Sequence, residues 1–403
     1  MDATTLSKKL MMGYQGWFAC AGEGSPLNGW KHWFRDNSPD ASSLTVDMWP
    51  DMTELGADEV FATSMKYSNN SAAALYSAYK SSTVIRHFEW MRDNNLDGVM
   101  LQRFVRELRD PASRAFRDQV ARNVRAGAEA YGRVFCLMYD ISGSNESTLV
   151  EDLKNDWAYL VDTMRITESS LYLGHRGKPL LAIWGLGFAD RPGTVTQAKE
   201  IVAYFKSGAP ARYQVTLVGG VPCNWRTLDG DSKTEAAWAD VYRSFGVLSP
   251  WSVGRYADDA GADNFMKSRL VPDLKELSRL GIDYMPVVFP GFSWRNLNNG
   301  PLNQVPRRGG RFWWRQICNA VSAKCTMIYC AMFDEVDEGT AMFKLVANRQ
   351  DLPTQGQDRL VYLNIDGEKL PSDWYLRVAD QGGKMLRGEI ALTSKLPITP
   401  GRR

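Results

Sequence analysis

Apolar residues in this chain gather into short, nearly continuous runs, and between the runs they recur every three or four positions. The runs are "MMGYQGWF" (11–18), "DGVMLQRF" (97–104), "RVFCLMYDIS" (133–142), "PLLAIWGLGF" (179–188), "YQVTLVGGVP" (213–222), "GVLSPWSVG" (246–254), "IDYMPVVFPGFSW" (282–294) and "CTMIYCAMFDE" (325–335). Runs of this length read as strands, and their apolar character on both faces fits a sheet covered on both sides. The intervening segments carry the helical period. Val84, Phe88 and Met91 share one face, as do Phe116, Val120 and Val124, with Gly132 as a stop. Leu149, Leu153, Trp157, Leu160 and Met164 form a third apolar stripe. A long Gly- and Trp-rich loop separates the first run from the first helix.

Eight strand–helix units is the number at which a parallel sheet closes on itself. The expected fold is therefore α/β, a (β/α)8 TIM barrel with long βα loops; a doubly wound open sheet is the alternative. No linker or low-complexity tract divides the chain, so one domain over 1–403 is expected. Residues 346–403, including "SDWYLRVADQGGKML", read as a C-terminal segment closing the barrel.

Composition narrows the chemistry. The formal charge is +2 across 403 residues, which points to neither nucleic acid nor an anionic surface. No run of about 18 apolar residues exists to span a membrane. The chain has 14 Trp but only three His, so a metal site built on imidazoles is not expected. Neither a dinucleotide nor a P-loop glycine fingerprint is present, so no cofactor is expected. The six cysteines form no CxxC pair and read as buried thiols. Trp supplies an apolar face with a polar edge, which suits sugar rings.

In such barrels the chemistry sits where strands end and βα loops begin. At the end of the eighth run, Asp334, Glu335, Asp337 and Glu338 crowd into five positions. At the same level lie Tyr14, Gln15 and Trp17 on the first run, Gln102 and Arg103 on the second, Asp140 on the third and Trp184 on the fourth. Asn224 and Trp225 follow the fifth, Trp251 and Arg255 lie near the sixth, and Trp294 ends the seventh; His32 and Trp33 sit in the first long loop. Aromatic faces, amides and carboxylates around one mouth predict a carbohydrate site.

The stretches "GYQGWF", "GEGSPLNGWKHW", "MYDISG" and "FDEVDEGT" resemble the glycoside hydrolase family 71/99-like group, over residues 11 to about 345. Its best understood branch is family 99, the endo-α-mannosidases, with a strand-eight signature Glu-x-x-Glu-Gly-Thr. Here that signature reads Glu335-Val336-Asp337-Glu338-Gly339-Thr340. Val336-Asp337 stand where that family usually has Trp-His, which bears on the mannose-type substrate more than on hydrolysis. The resemblance implies a retaining glycosidase acting on an oligosaccharide or polysaccharide. It implies that Glu338 is the general acid/base, and that Glu335 assists attack by the sugar's 2-hydroxyl through a 1,2-anhydro intermediate. It also implies a secreted or periplasmic protein with any signal segment removed, a cytoplasmic one staying open. No feature sets an oligomeric state.

Other readings stay open at this point. Asp140 paired with one glutamate is a second catalytic geometry. A non-catalytic glycan-binding barrel and a polysaccharide lyase using Tyr139, Arg103 and Arg255 are further functions. Each Trp can serve the core instead of a ligand. "RRGGRFWWR" (307–315) reads as a solvated helix start or as a clamp for an acidic glycan.

Overall fold

The structure is a computed structural model that describes residues 1–401. Strands β1 (Leu10–Tyr14), β4 (Gly98–Phe104), β5 (Val134–Asp140), β7 (Lys178–Trp184), β8 (Thr216–Val221) and β9 (Val247–Pro250) are joined in parallel, each to the next, and a two-residue β6 (Gly174–His175) pairs antiparallel with the start of β7. The seventh position holds two short pieces, β10 (Asp283–Tyr284) and β11 (Val287–Val288), and the eighth holds β12 (Ile328–Cys330). β10 pairs with β9, β11 pairs with β12, and β12 pairs with β1. Across the break, Met285 donates its N–H to Leu248 and Pro286 accepts from Tyr329, both at 2.9 Å. The sheet thus closes into an eight-position parallel barrel, as the repeat of apolar runs predicts. Pro286 offers no N–H, which explains why the seventh strand is split.

Every expected run holds its strand, β7 starting one residue ahead of its run at Lys178, and each strand is shorter than the run. β1, β5, β8, β9 and β12 are buried throughout, as expected for a sheet between a filled interior and a helical jacket. Gly13 is required inside. A Cβ there would collide with Met332 and the Tyr329 hydroxyl, which fill the barrel axis.

The jacket follows from capping and periodicity. α1 (Ser81–Asp93) buries Val84, Phe88 and Met91. α2 (Pro111–Tyr131) starts with Asp110 accepting from the Ser113 N–H and a Pro in the first turn, and stops at Gly132 with φ 64°. α3 (Leu149–Asp162) buries Leu149, Leu153, Trp157 and Leu160 but ends before Met164. α4 (Val195–Ala203) opens with a Thr194/Gln197 capping box. α5 (Trp238–Tyr242) is little more than a single turn. α6 (Asp259–Phe265) runs through a π-turn into α7 (Val271–Leu280). α8 (Arg295–Asn298) is a short turn after the seventh strand, and α9 (Arg311–Ser322) covers the eighth.

Two features lie outside the barrel. The loop after β1 contains an antiparallel hairpin, β2 (Val60–Lys66) with β3 (Ala72–Tyr76), where the sequence pattern indicated only loop. The chain after residue 346 returns to this loop, with Val361 donating to the Asp47 carbonyl at 2.7 Å. It ends in α10 (Trp374–Arg387), which packs on α9 and β1. No helix of the described residues is long and apolar enough to cross a membrane.

Candidate active site

The loop that follows β12 is built so that its carboxylates face different ways. Asp334 turns back to the first strand, its two oxygens accepting the N–H groups of Gln15 (2.7 Å) and Gly16 (2.9 Å). That anchor aims the Gln15 side chain at Glu335, whose Oε1 accepts from Gln15 Nε2 at 2.5 Å. The other oxygen of Glu335 accepts from Thr340 Oγ1 at 2.6 Å. Gly339 has φ +66° and a Cβ there would lie 2.9 Å from Ser293, whose N–H donates to the Glu338 carbonyl at 2.9 Å. The Gly-Thr that ends the motif therefore has a physical reason: a left-handed turn under close contact, then a hydroxyl reaching back to Glu335.

Neighbouring segments brace the same loop. Asp47 and Met48 donate their N–H groups to the Val336 carbonyl at 2.9 and 3.0 Å. Arg307 is buried and donates to the carbonyls of Gly339 (2.9 Å) and Ala341 (2.7 Å), with its guanidinium over the Tyr375 ring. Arg311 pairs with Glu368 and Arg315 with Asp263. Arg307 thus braces the loop, and residues 311–315 open α9.

Glu335 and Glu338 both line a cavity of about 700 Å³ at the carboxyl ends of the barrel strands. Every strand position contributes to its wall: Gln15 and Trp17, Gln102 and Phe104, Asp140 and Ser142, Trp184 and Arg191, Asp231, Trp251 and Arg255, Phe292 and Trp294, and the two glutamates. The indole N–H groups of Trp17, Trp184 and Trp294 and the amide oxygens of Gln15 and Gln102 are buried in its walls without a hydrogen-bond partner among the described residues.

The electrostatics are those of crowded, buried acids. Burial pushes Glu338 up to about 8, with Asp337 and Asp140 adding to the lift and Arg191 opposing it. Burial, then Glu338 and Asp337, raise Glu335 well above the usual carboxylate range, against the two donors it accepts from. Burial also lifts Asp337 and Asp334 to about 7. Asp140 is raised by burial while its Ser142 N–H bond (2.7 Å) opposes the rise. A cluster like this retains at least one proton near neutrality.

Seven residues expected at the mouth do not line the cavity. Arg103 is buried among the helices, held by Asp156 (2.7 Å) and Asp118 (2.8 Å). Tyr14 points to His87 on α1, with oxygen and nitrogen 2.8 Å apart. Trp33 is fully buried and donates to the Tyr76 carbonyl. Trp225 is fully buried and donates to Asp273 at 3.0 Å. Asn224 bonds Asp229 within its own loop, and Asp334 spends both oxygens on backbone. His32 stacks on Trp17 at 4.0 Å, outside the cavity wall. The reason is largely the strand period. Adjacent residues point to opposite faces, so Gln102 and Arg103, or Tyr14 and Gln15, cannot both look inward. His87 itself is buried among the rings of Tyr14, Tyr76 and Phe333.

Residues not singled out from sequence also reach the cavity: Phe104, Ser142, Phe188, Asp190, Arg191, Asp231, Phe292 and Gln304. Arg191 bonds Ser142 Oγ at 2.9 Å and lies over the Trp184 ring at 5.3 Å; Arg255 pairs with Asp231 at 2.6 Å. Phe104 ends β4 and Ser142 follows β5 closely, but the others lie deeper in βα loops, where no strand period marks them.

No family model and no curated protein matches this chain. Solved structures do. The GH99 endo-alpha-mannosidase from Bacteroides thetaiotaomicron superposes with a TM-score of 0.66 at 15% identity, over 95% of this chain and 99% of that one. The same bacterial enzyme in complex with BIS-TRIS-propane gives 0.66 at 14% identity, over 96% and 99%. A structure described as a glycoside hydrolase-like protein gives 0.53 at 12% identity, over 84% of this chain and 94% of that one. The resemblance carried by the sequence motifs is thus matched by a likeness of fold over nearly the whole chain.

Proposed function

We propose that this chain is a glycoside hydrolase that cleaves glycosidic bonds within an oligosaccharide or polysaccharide. The observation that carries the proposal is the meeting of a buried Glu335 and a half-buried Glu338 in one Trp-walled cavity at the carboxyl ends of the barrel strands. The likeness to a GH99 endo-alpha-mannosidase supports the same reading.

Glu338 is the general acid. It donates its proton to the glycosidic oxygen as the bond from the anomeric carbon breaks. Glu335 is the base. It takes the proton of the 2-hydroxyl, whose oxygen attacks the anomeric carbon and closes a 1,2-anhydro ring. Gln15 and Thr340 favour the ionised form of Glu335, as this role requires. In the second step Glu338 removes a proton from water, the water oxygen opens the ring at the anomeric carbon, and Glu335 returns its proton to O2. Two displacements retain configuration. Trp184, Trp251 and Trp294 supply faces for sugar rings, while Gln102 and Asp140 read hydroxyls.

A screen against a panel of neutral, acidic and sulfated polysaccharides, read by new reducing ends, tests the activity. Proton NMR of the first-formed anomer then tests retention. An inverted first product would exclude the anhydro route, and no cleavage across the panel, with glycans still bound, would leave a binding module.

A further inference from the structure

Arg117 lies on α2 and outside the sugar-sized cavity, yet its bonds lead toward it. The side chain is buried, at 4% exposed. Its Nε donates to Glu107 at 2.5 Å, so the charge is paired just beyond the end of β4. Its Nη1 donates to the Gln15 carbonyl at 3.1 Å, with the Gly16 carbonyl at 3.5 Å. The guanidinium also sits 5.2 Å from the centre of the Phe104 ring, which is part of the cavity wall.

The two residues that follow β1 are therefore gripped by charges of both signs. Asp334 takes the N–H groups of Gln15 and Gly16, and Arg117 supplies a donor to their carbonyls. One grip comes from the loop after the eighth strand, the other from the helix after the second. Gly16 shows how close that helix comes. Its φ is +55°, and a Cβ there would lie 2.7 Å from the Val120 side chain on α2.

The Gln15 side chain grows from this clamped root. Its Nε2 meets Glu335 Oε1 at 2.5 Å, while its own Oε1 has no partner among the described residues. A long side chain with one bond at its tip keeps its aim only if the backbone beneath it is fixed, because each free torsion opens further rotamers. A lysine could supply the charge but not the geometry. The guanidinium donates through Nε and Nη1 in one rigid plane, to Glu107 and to Gln15 at once.

We propose that Arg117 is a positioning residue for Glu335, acting through the backbone and then the side-chain amide of Gln15. It lies outside the cavity and touches no substrate. The proposal rests on the hydrolase reading for what Glu335 does, and on these bonds for how Gln15 is held.

The test reads the Gln15 amide without turnover. Protein labelled with 15N glutamine is followed by NMR, and Q15L assigns the Gln15 side-chain pair. In the parent that pair is expected to be displaced from the free-amide position and protected from solvent exchange, because it donates to a carboxylate. R117M is expected to lose both the displacement and the protection, and R117K, which keeps a donor, to restore part of each. Should only R117K fold, its pair is expected between the parent and free-amide positions. On any glycan that the screen shows to be cleaved, R117M should lower kcat by about 10- to 100-fold with KM little changed. An unmoved Gln15 pair in a folded variant overturns the proposal. So does an unaltered kcat beside a moved pair, and so does loss of fold in both variants, which would make Arg117 structural. If no glycan is cleaved the hydrolase reading fails, and the amide signals still decide whether Arg117 holds Gln15.

Discussion

Glu338 binds a proton in the folded protein that the unfolded chain releases, because burial lifts it from 4.5 to about 8. For a carboxyl raised on folding, the stability contribution is greatest below the ordinary value and is lost as pH climbs through the window up to the folded value. Asp337, lifted from 3.8 to about 7, adds to the same slope. Melting curves between about pH 5 and about pH 8 should therefore show Tm falling with pH, and E338Q should flatten that fall. A slope identical in the variant would place the released proton elsewhere. The same substitution should abolish turnover, by a factor of about 10² to 10⁴, while calorimetry still registers glycan binding. Full activity in E338Q would remove it from the acid role. At this scale the sequence was legible where chemistry and period agreed, as for Gln15, Gln102, Glu335 and Glu338. It misled where two neighbouring residues were both placed at the mouth, since Arg103 and Tyr14 sit on the outward phase of their strands. No local signal separates Trp17 from Trp33, because burial there is decided by how a long loop folds on the hairpin.

The loop after β12 is the element on which the site depends, and its stiffness comes from outside itself. Gly339→Ala forces a side chain into a left-handed turn against Ser293 and should cost about 1–3 kcal/mol, with a matching fall in kcat. Arg307→Met would strand two buried carbonyls, at about 1–3 kcal/mol each, and should lower activity although Arg307 lies outside the cavity. Preserved kcat in a folded Arg307→Met protein would show that the brace is dispensable. Arg103 gives the contrasting case. Its loss leaves Asp118 and Asp156 with tyrosine hydroxyls but no counter-charge and should cost about 3–5 kcal/mol in denaturant melts. KM of whatever folded protein remains should not change. The β2–β3 hairpin escaped the sequence reading because its strands are half exposed and mixed in pattern, and its turn, "YSNNS", lies in a segment already rich in loop residues.

At the scale of the molecule, the eightfold recurrence of apolar runs was enough to reach a closed barrel, because burial on both faces leaves a parallel strand little freedom in composition. What the runs could not convey was unevenness around the ring. "IDYMPVVFPGFSW" contains the seventh strand, but its proline divides the ladder into β10 and β11 of two residues each. β4 and β5, by comparison, are matched over seven residue pairs. The staves of this cask are therefore not equally hooped. Amide deuterium uptake should run fastest along the Leu248–Pro286–Tyr329 seam and slowest between the second and third staves. A wall that yields first beside Trp251, Trp294 and the acidic turn is where the mouth would widen to let a long polymer in or its halves out.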